Sequence, residues 1–299
     1  MGSGARVAAP LLATLLAAAT MSGCARPVSG TASPEAAAAD KAMAAAYDRG
    51  IGEFEAHFGR LGDERAKVYN YFTWGDTKRT NEFESAKLGN PPATLVTKRR
   101  DESDDNVLTL HPAGVDVDYV RLDRAHANLA PTPWVSLPTA FPKDLGFDPH
   151  SLLTSWVAIK LDLAINQTKL DAPDQQQRTV TATGDGYELH SGATLGTMID
   201  QGIATVPEEL KSKVTREMKA TVLPVRMNFG PTWEFRSFEV AATVPGEPEL
   251  RIQLGYEVAG TTAKSDFPAA PAPAEVTAIT DKAAVAKFYD DLSSTGAGK

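Results

Sequence analysis

From Val222 to Val258 the chain alternates apolar and polar positions with a period of two. In Leu250-Arg251-Ile252-Gln253-Leu254-Gly255-Tyr256-Glu257-Val258 every second residue is apolar, and those between are polar or Gly. Successive side chains of a strand point to opposite faces, so this pattern predicts a sheet with one dry face and one wet face. Val225, Met227 and Phe229 alternate with Arg226 and Asn228, while Phe238, Val240, Ala242 and Val244 share one parity. Three successive antiparallel strands are expected, with Gly230-Pro231 and Pro245-Gly246 as the turns.

Elsewhere the period changes. Met43, Tyr47, Ile51, Phe54 and Phe58 are spaced by three and four, which predicts an amphipathic helix from about Glu35 to Arg60 lying over a sheet. Ser33 can cap it, Pro34 fits its first turn, and Gly50 and Gly52 are expected to break or bend it. A strand, a turn at Gly75-Asp76 and a second strand follow between Lys67 and Ala93. Ala93 to Lys98 and Val107 to His111 flank a charged hairpin tip, Arg99 to Asn106. Val115, Val117 and Tyr119 alternate with Asp116 and Asp118, and the aspartates read as the wet face of that strand.

Arg121 to Leu145 holds Trp134, Phe141 and four prolines and reads as a long irregular loop. Asp148-Pro149 then starts a helix carrying Leu152, Leu153, Trp156, Val157, Leu161 and Ala164, which ends at a polar break from Gln167 to Gln177. A hairpin is expected around Gly184-Asp185-Gly186, followed by short helices over Leu195 to Ile203 and Val206 to Met218. After the three strands, Phe267-Pro268 to Pro273 reads as a Pro/Ala linker, and Thr280-Asp281 starts a last helix through Leu292.

The first residues carry a different kind of signal. Arg6 precedes an uncharged run, Val7 to Ala19, that ends in small residues, the layout of a secretory signal too short for a lasting membrane span. Met21-Ser22-Gly23-Cys24 follows it and resembles the bacterial lipobox, in which the Cys becomes the acylated first residue of the mature chain. The expected organisation is a lipoprotein signal peptide over 1–23, a flexible tether over 24–34, a sheet domain over 35–268, and a linker, helix and tail over 269–299. Two or three acyl chains on Cys24, at about 0.8 kcal/mol per buried methylene, would hold the domain on the outer face of a membrane in the cell envelope.

Composition removes several classes of activity. Lys+Arg 30 against Asp+Glu 38 leaves a net charge of -8, which disfavours nucleic acid as a partner. With one Cys no internal disulfide and no multi-cysteine metal site is available. The histidines His57, His111, His126, His150 and His190 form no i, i+4 pair, so no zinc hydrolase motif is present. Neither Gly-x-Ser-x-Gly nor Ser-x-x-Lys occurs. No cofactor, metal or catalytic residue is expected. The acidic pairs Glu208/Glu209 and Glu234/Glu239 read as surface charge.

The order of these elements, together with Asp148-Pro149, Leu223-Pro224-Val225-Arg226-Met227 and Leu250 to Val258 followed by Phe267-Pro268, resembles the LolA/LppX-like lipoprotein carriers. That resemblance implies an α+β fold: a strongly curved antiparallel sheet, a half-barrel, with helices covering its concave face and an apolar cavity between them for acyl chains. The residues placed to line it are Val225, Met227, Phe238, Val240, Ile252, Leu254 and Tyr256 on the sheet, with Leu153, Trp156 and Val157 on the facing helix. The expected function is to bind or carry a lipid or other hydrophobic molecule. The same periodicity suits a filled core, since it shows that a face is dry and leaves open what dries it. A non-catalytic module that docks an envelope protein is the alternative.

Overall fold

The computed structural model describes residues 34–59, 62–99, 106–141, 156–175, 177–204, 206 and 208–294. Helix α1 (Pro34–Gly59) leads into a first meander of β1 (Glu64–Trp74), β2 (Thr77–Leu88), β3 (Ala93–Arg99), β4 (Val107–His111), β5 (Val117–Arg121) and β6 (Trp134–Pro138). Helix α2 (Trp156–Asp171) separates this from the hairpin of β7 (Thr179–Thr183) and β8 (Gly186–Thr194). Three short helices, α3 (Leu195–Asp200), α4 (Glu208–Lys211) and α5 (Arg216–Ala220), precede β9 (Val222–Phe229), β10 (Phe235–Val244) and β11 (Leu250–Gly260). The chain then adds β12 (Val276–Ala278) and α6 (Lys282–Ser294).

The strands form one open sheet in the order β12-β6-β5-β4-β3-β2-β1-β11-β10-β9-β8-β7. Two antiparallel meanders are thus joined along β1 and β11, where Val68 lies opposite Tyr256 and Phe72 opposite Ile252. Each strand is rotated by about 20–25° from its neighbour, so a sheet this wide curls, and the helices fill the hollow. This is the expected α+β architecture, with β12 and β7 as its edges.

Four sequence expectations are corrected. The stretch read as a loop from Arg121 to Leu145 contains β6, which pairs with β5 in the register Val120↔Val135. Pro133 and Pro138 sit beside and at the end of that strand, where a missing N–H is tolerated. Helix α1 runs through Gly50 and Gly52 without interruption. A Cβ on Gly50 would come within 2.6 Å of a Leu189 methyl carbon, so this glycine lets the helix lie close on β8. Helix α2 continues past Gln167 to Asp171, beyond the expected break. Finally, β5 faces the opposite way from its aspartate pattern: Asp118 and Val120 are fully buried, while Val117 and Tyr119 are half-buried. His111 Nδ1 at 2.9 Å and a hydrogen bond from Thr139 Oγ1 at 3.2 Å compensate the buried carboxylate. The hairpin tip read as Arg99 to Asn106 lies largely outside the described residues, as do Asp148-Pro149 and Leu152.

Two apolar cores result. The larger joins α1, α2 and α3 to β1 and β8–β11; the smaller joins Val107, Val120, Leu122, Val135 and Leu137 to Val285 and Phe288 of α6. The expected C-terminal helix is present, and the short strand before it joins the sheet. β12 pairs in parallel with β6, and α6 covers the small core. His126, itself buried, holds the far end of α6: its Nδ1 meets Asp123 and its Nε2–H donates to the Leu292 carbonyl at 3.1 Å. Phe288→Ala should therefore lower unfolding free energy by about 3–5 kcal/mol in urea titration, as for other buried aromatic truncations.

Candidate functional site

The dry face predicted from the strand pattern exists. Val225, Met227 and Val240 have no exposed surface, Phe238 and Tyr256 retain 1%, and Ile252 and Leu254 retain 3%. They share one cluster because their strands are neighbours and their parity agrees: Met227 lies opposite Phe238, Val225 opposite Val240, and Leu254 also opposite Val240. A void large enough for water beside these residues would appear as accessible surface. Their burial therefore means that protein side chains occupy the space above them.

The occupants come from the helices. Phe54 of α1, 1% exposed, meets Phe235 at 5.3 Å and Phe238 at 6.1 Å between ring centroids, both edge to face. Phe58 meets Tyr256 at 5.1 Å, and Leu161, Ala164 and Ile165 of α2 join the same cluster. Burying one such aromatic ring contributes about 1.5–3 kcal/mol, and edge-to-face pairing adds roughly 0.5–1.5 kcal/mol. Of the facing-helix residues named from the sequence, Trp156 and Val157 begin α2, and their side chains are not described. Leu153 and Cys24 lie outside the described residues.

A polar latch closes the end of this core where α1 turns into β1. Tyr256 O–H donates to Glu64, and His57 Nε2 lies 2.9 Å from the other Glu64 oxygen. Burial pushes the Glu64 carboxyl up, but the hydrogen bonds from His57 and Tyr256 outweigh it and hold the group below the ordinary glutamate range. Burial, reinforced by the Glu64 charge, pushes the Tyr256 hydroxyl far up. No motif announces this trio, because its members come from three elements. Only the placement of His57 and Glu64 on either side of a helix-to-strand junction hints at it.

A separate cleft lies between α1 and α2, with a volume of about 240 Å³, below the usual range for small-molecule pockets. Asp48 and Glu55 line one side, and Asp162 and Lys169 the other. Gly52, which opens onto it, leaves space that a side chain would take. Arg178 closes one end, 3.0 Å from Asp48 and 4.5 Å above the Tyr47 ring, while Tyr47 Oη and Ser191 Oγ share a hydrogen bond of 2.7 Å. Burial and then the neighbouring Glu55 charge push the Asp162 carboxyl up, against a hydrogen bond from Asn166. Among the described residues, the seven sheet positions assigned to ligand binding do not line this cleft. Its charged groups had no sequence signal beyond the polar side of a helix.

Among the described residues, no group of three His, Cys, Asp or Glu side chains is placed to hold a metal ion, and no helix is long and apolar enough to cross a membrane. No family model matches the chain, and no curated protein matches it. Among solved structures it is similar to LprF from Mycobacterium bovis, at 12% identity over 71% of this chain and 92% of that one, with a TM-score of 0.32. It is also similar to a LolA superfamily protein from Nitrosomonas europaea, at 8% identity over 75% and 99%, with a TM-score of 0.25. A DUF1329 family protein from Desulfovibrio piger is similar at 11% identity over 75% and 94%, with a TM-score of 0.23.

The latch makes stability depend on pH with a definite sign. Glu64 binds its proton less readily folded than unfolded, so its contribution is complete above the unfolded value near 4.5 and is lost as pH falls through the lower folded value. Thermal melts between about pH 6 and pH 3 should show Glu64→Gln with a shallower acid loss than the parent. At pH 6 the variant should be less stable by about 1–3 kcal/mol.

Proposed function

We propose that the protein is a non-catalytic, membrane-anchored binding protein of the cell envelope that takes up a lipid or another hydrophobic molecule beneath α2. One observation carries this reading. Helix α2 is apolar on two opposite faces, burying Leu161, Ala164 and Ile165 on the sheet while exposing Ile159, Leu163 and Leu170 outward. A cover of this kind gives up little when it exchanges sheet contacts for hydrocarbon, since either face can meet an apolar surface.

The packed core is then the closed, empty form. Loading parts the helical cover, α2 over β8 and Phe54 and Phe58 of α1 over Phe238 and Tyr256, from the dry face that also carries Val225, Met227, Val240, Ile252 and Leu254, and acyl chains replace the side chains of the cover. Such a site works by area and shape, and needs few polar groups. Acylated Cys24 keeps the domain beside the membrane that supplies the ligand.

A second reading, a tethered module that docks an envelope protein and holds no ligand, is favoured by the burial of the seven sheet residues to 3% exposure or less. Native mass spectrometry separates the two. The domain purified from its envelope without detergent exchange should carry bound species that extract into organic solvent and have fatty acyl masses. A single unliganded mass would support the module instead. The anchoring claim has its own check: Cys24→Ala should move the protein from the membrane to the soluble fraction, and a variant that stays membrane-bound would refute acylation as the anchor.

A further inference from the structure

We infer that the outward face of α2 is a bilayer-contact surface, a stripe of aliphatic side chains that rests on the membrane to which the tether leads. Ile159 is 50% exposed, Leu163 48% and Leu170 75%. At about 100° per residue these three fall within an arc of roughly 40° on the helix. Leu161, Ala164, Ile165 and Thr168, all buried, are centred on the opposite side. The stripe is therefore a second apolar face, distinct from the one that covers the sheet.

The chain itself indicates what this face meets. The segment from Cys24 to Pro34 spans at most about 35 Å when fully extended, at roughly 3.5 Å per residue. The six residues from there to Asp40 add at most about 21 Å of chain, so an acylated Cys24 keeps the domain within about 56 Å of the lipid surface. Asp48 of α1 pairs with Arg178, just beyond the end of α2, and Glu55 acts on Asp162 near its start. From Asp40 onward the two helices are thus antiparallel, and Leu170, the most exposed of the three, stands at the end of α2 nearest Asp48. Lys160 and Lys169 flank the stripe, and their stems can lie along an apolar boundary with the ammonium groups at headgroup level. Asp162 and Asn166, hydrogen-bonded to each other, complete the polar border. Because the chain is acidic overall, the contact depends on apolar area rather than on attraction to anionic lipid.

This inference rests on the anchoring reading, and the experiment supplies the anchor chemically so that the two fail separately. The chain from Cys24 onward, made without its signal, is coupled through its single thiol to a maleimide phospholipid in vesicles of zwitterionic, bromine-labelled phosphatidylcholine. Leu163→Trp places a fluorophore on the stripe, and Gln253→Trp places one on the wet face of β11. The added fluorescence of Leu163→Trp should be quenched roughly two-fold or more, and that of Gln253→Trp unchanged. Adding Leu170→Asp to Leu163→Trp should abolish the quenching while leaving the melting temperature in place, since both positions are exposed. Raising salt from about 0.1 to 0.5 M should leave it intact. Equal quenching at both positions, quenching at neither, or loss of quenching in salt would each overturn the proposal.

Discussion

The structure depends on one demand: a wide antiparallel sheet with a continuous apolar face has to be dried. Twelve twisted strands present more such surface than their own edges can hide. Helices α1 and α2 supply the cover, and the details of both follow from that task. Gly50 thins α1 where it crosses Leu189, Phe54 drives a ring between Phe235 and Phe238, and α2 sets Leu161 and Ile165 into the same cluster. The remainder of the large core is filled by the short helices that precede β9.

Polar groups buried at the margins of the two cores tie these layers in one alignment. Glu64, His57 and Tyr256 join helix, first strand and last long strand, while His126, bonded to Asp123, holds the Leu292 carbonyl of α6 against the first meander. Asp118, with His111 and Thr139, does the same within that meander. Each carboxyl group in these contacts has a hydrogen-bonding neighbour, the arrangement under which a buried polar group is tolerable. Apolar surface sets the amount of packing, and these directional contacts set its register.

That division bears on function. Hydrocarbon is bound by area, so a site for it is hard to distinguish from a core until something is displaced. The two-sided character of α2 is what separates this cover from an ordinary core helix, because an ordinary one turns a polar side to solvent. The charged cleft between the helices sits beside this cover.

The sequence by itself determined the parts whose signal is local. Period-two alternation set the faces of β9, β10 and β11, spacing by three and four set the buried side of α1 at Tyr47, Ile51, Phe54 and Phe58 while Met43 is exposed, and glycine-bearing turns set the hairpins at Gly75 and Gly184. Only the tertiary structure decided the rest. Whether the dry face met protein or ligand depends on the volume between layers, which no strand pattern encodes. Asp118 read as solvent-facing because its compensation comes from His111 and Thr139 on other segments. β6 was hidden by its prolines, and the purpose of Gly50 is visible only once Leu189 lies beneath it. The C-terminal helix looked like an appendage because the surface it covers is assembled from strands more than a hundred residues earlier. Period and turn chemistry act between neighbours in sequence, whereas packing and charge compensation act between neighbours in space.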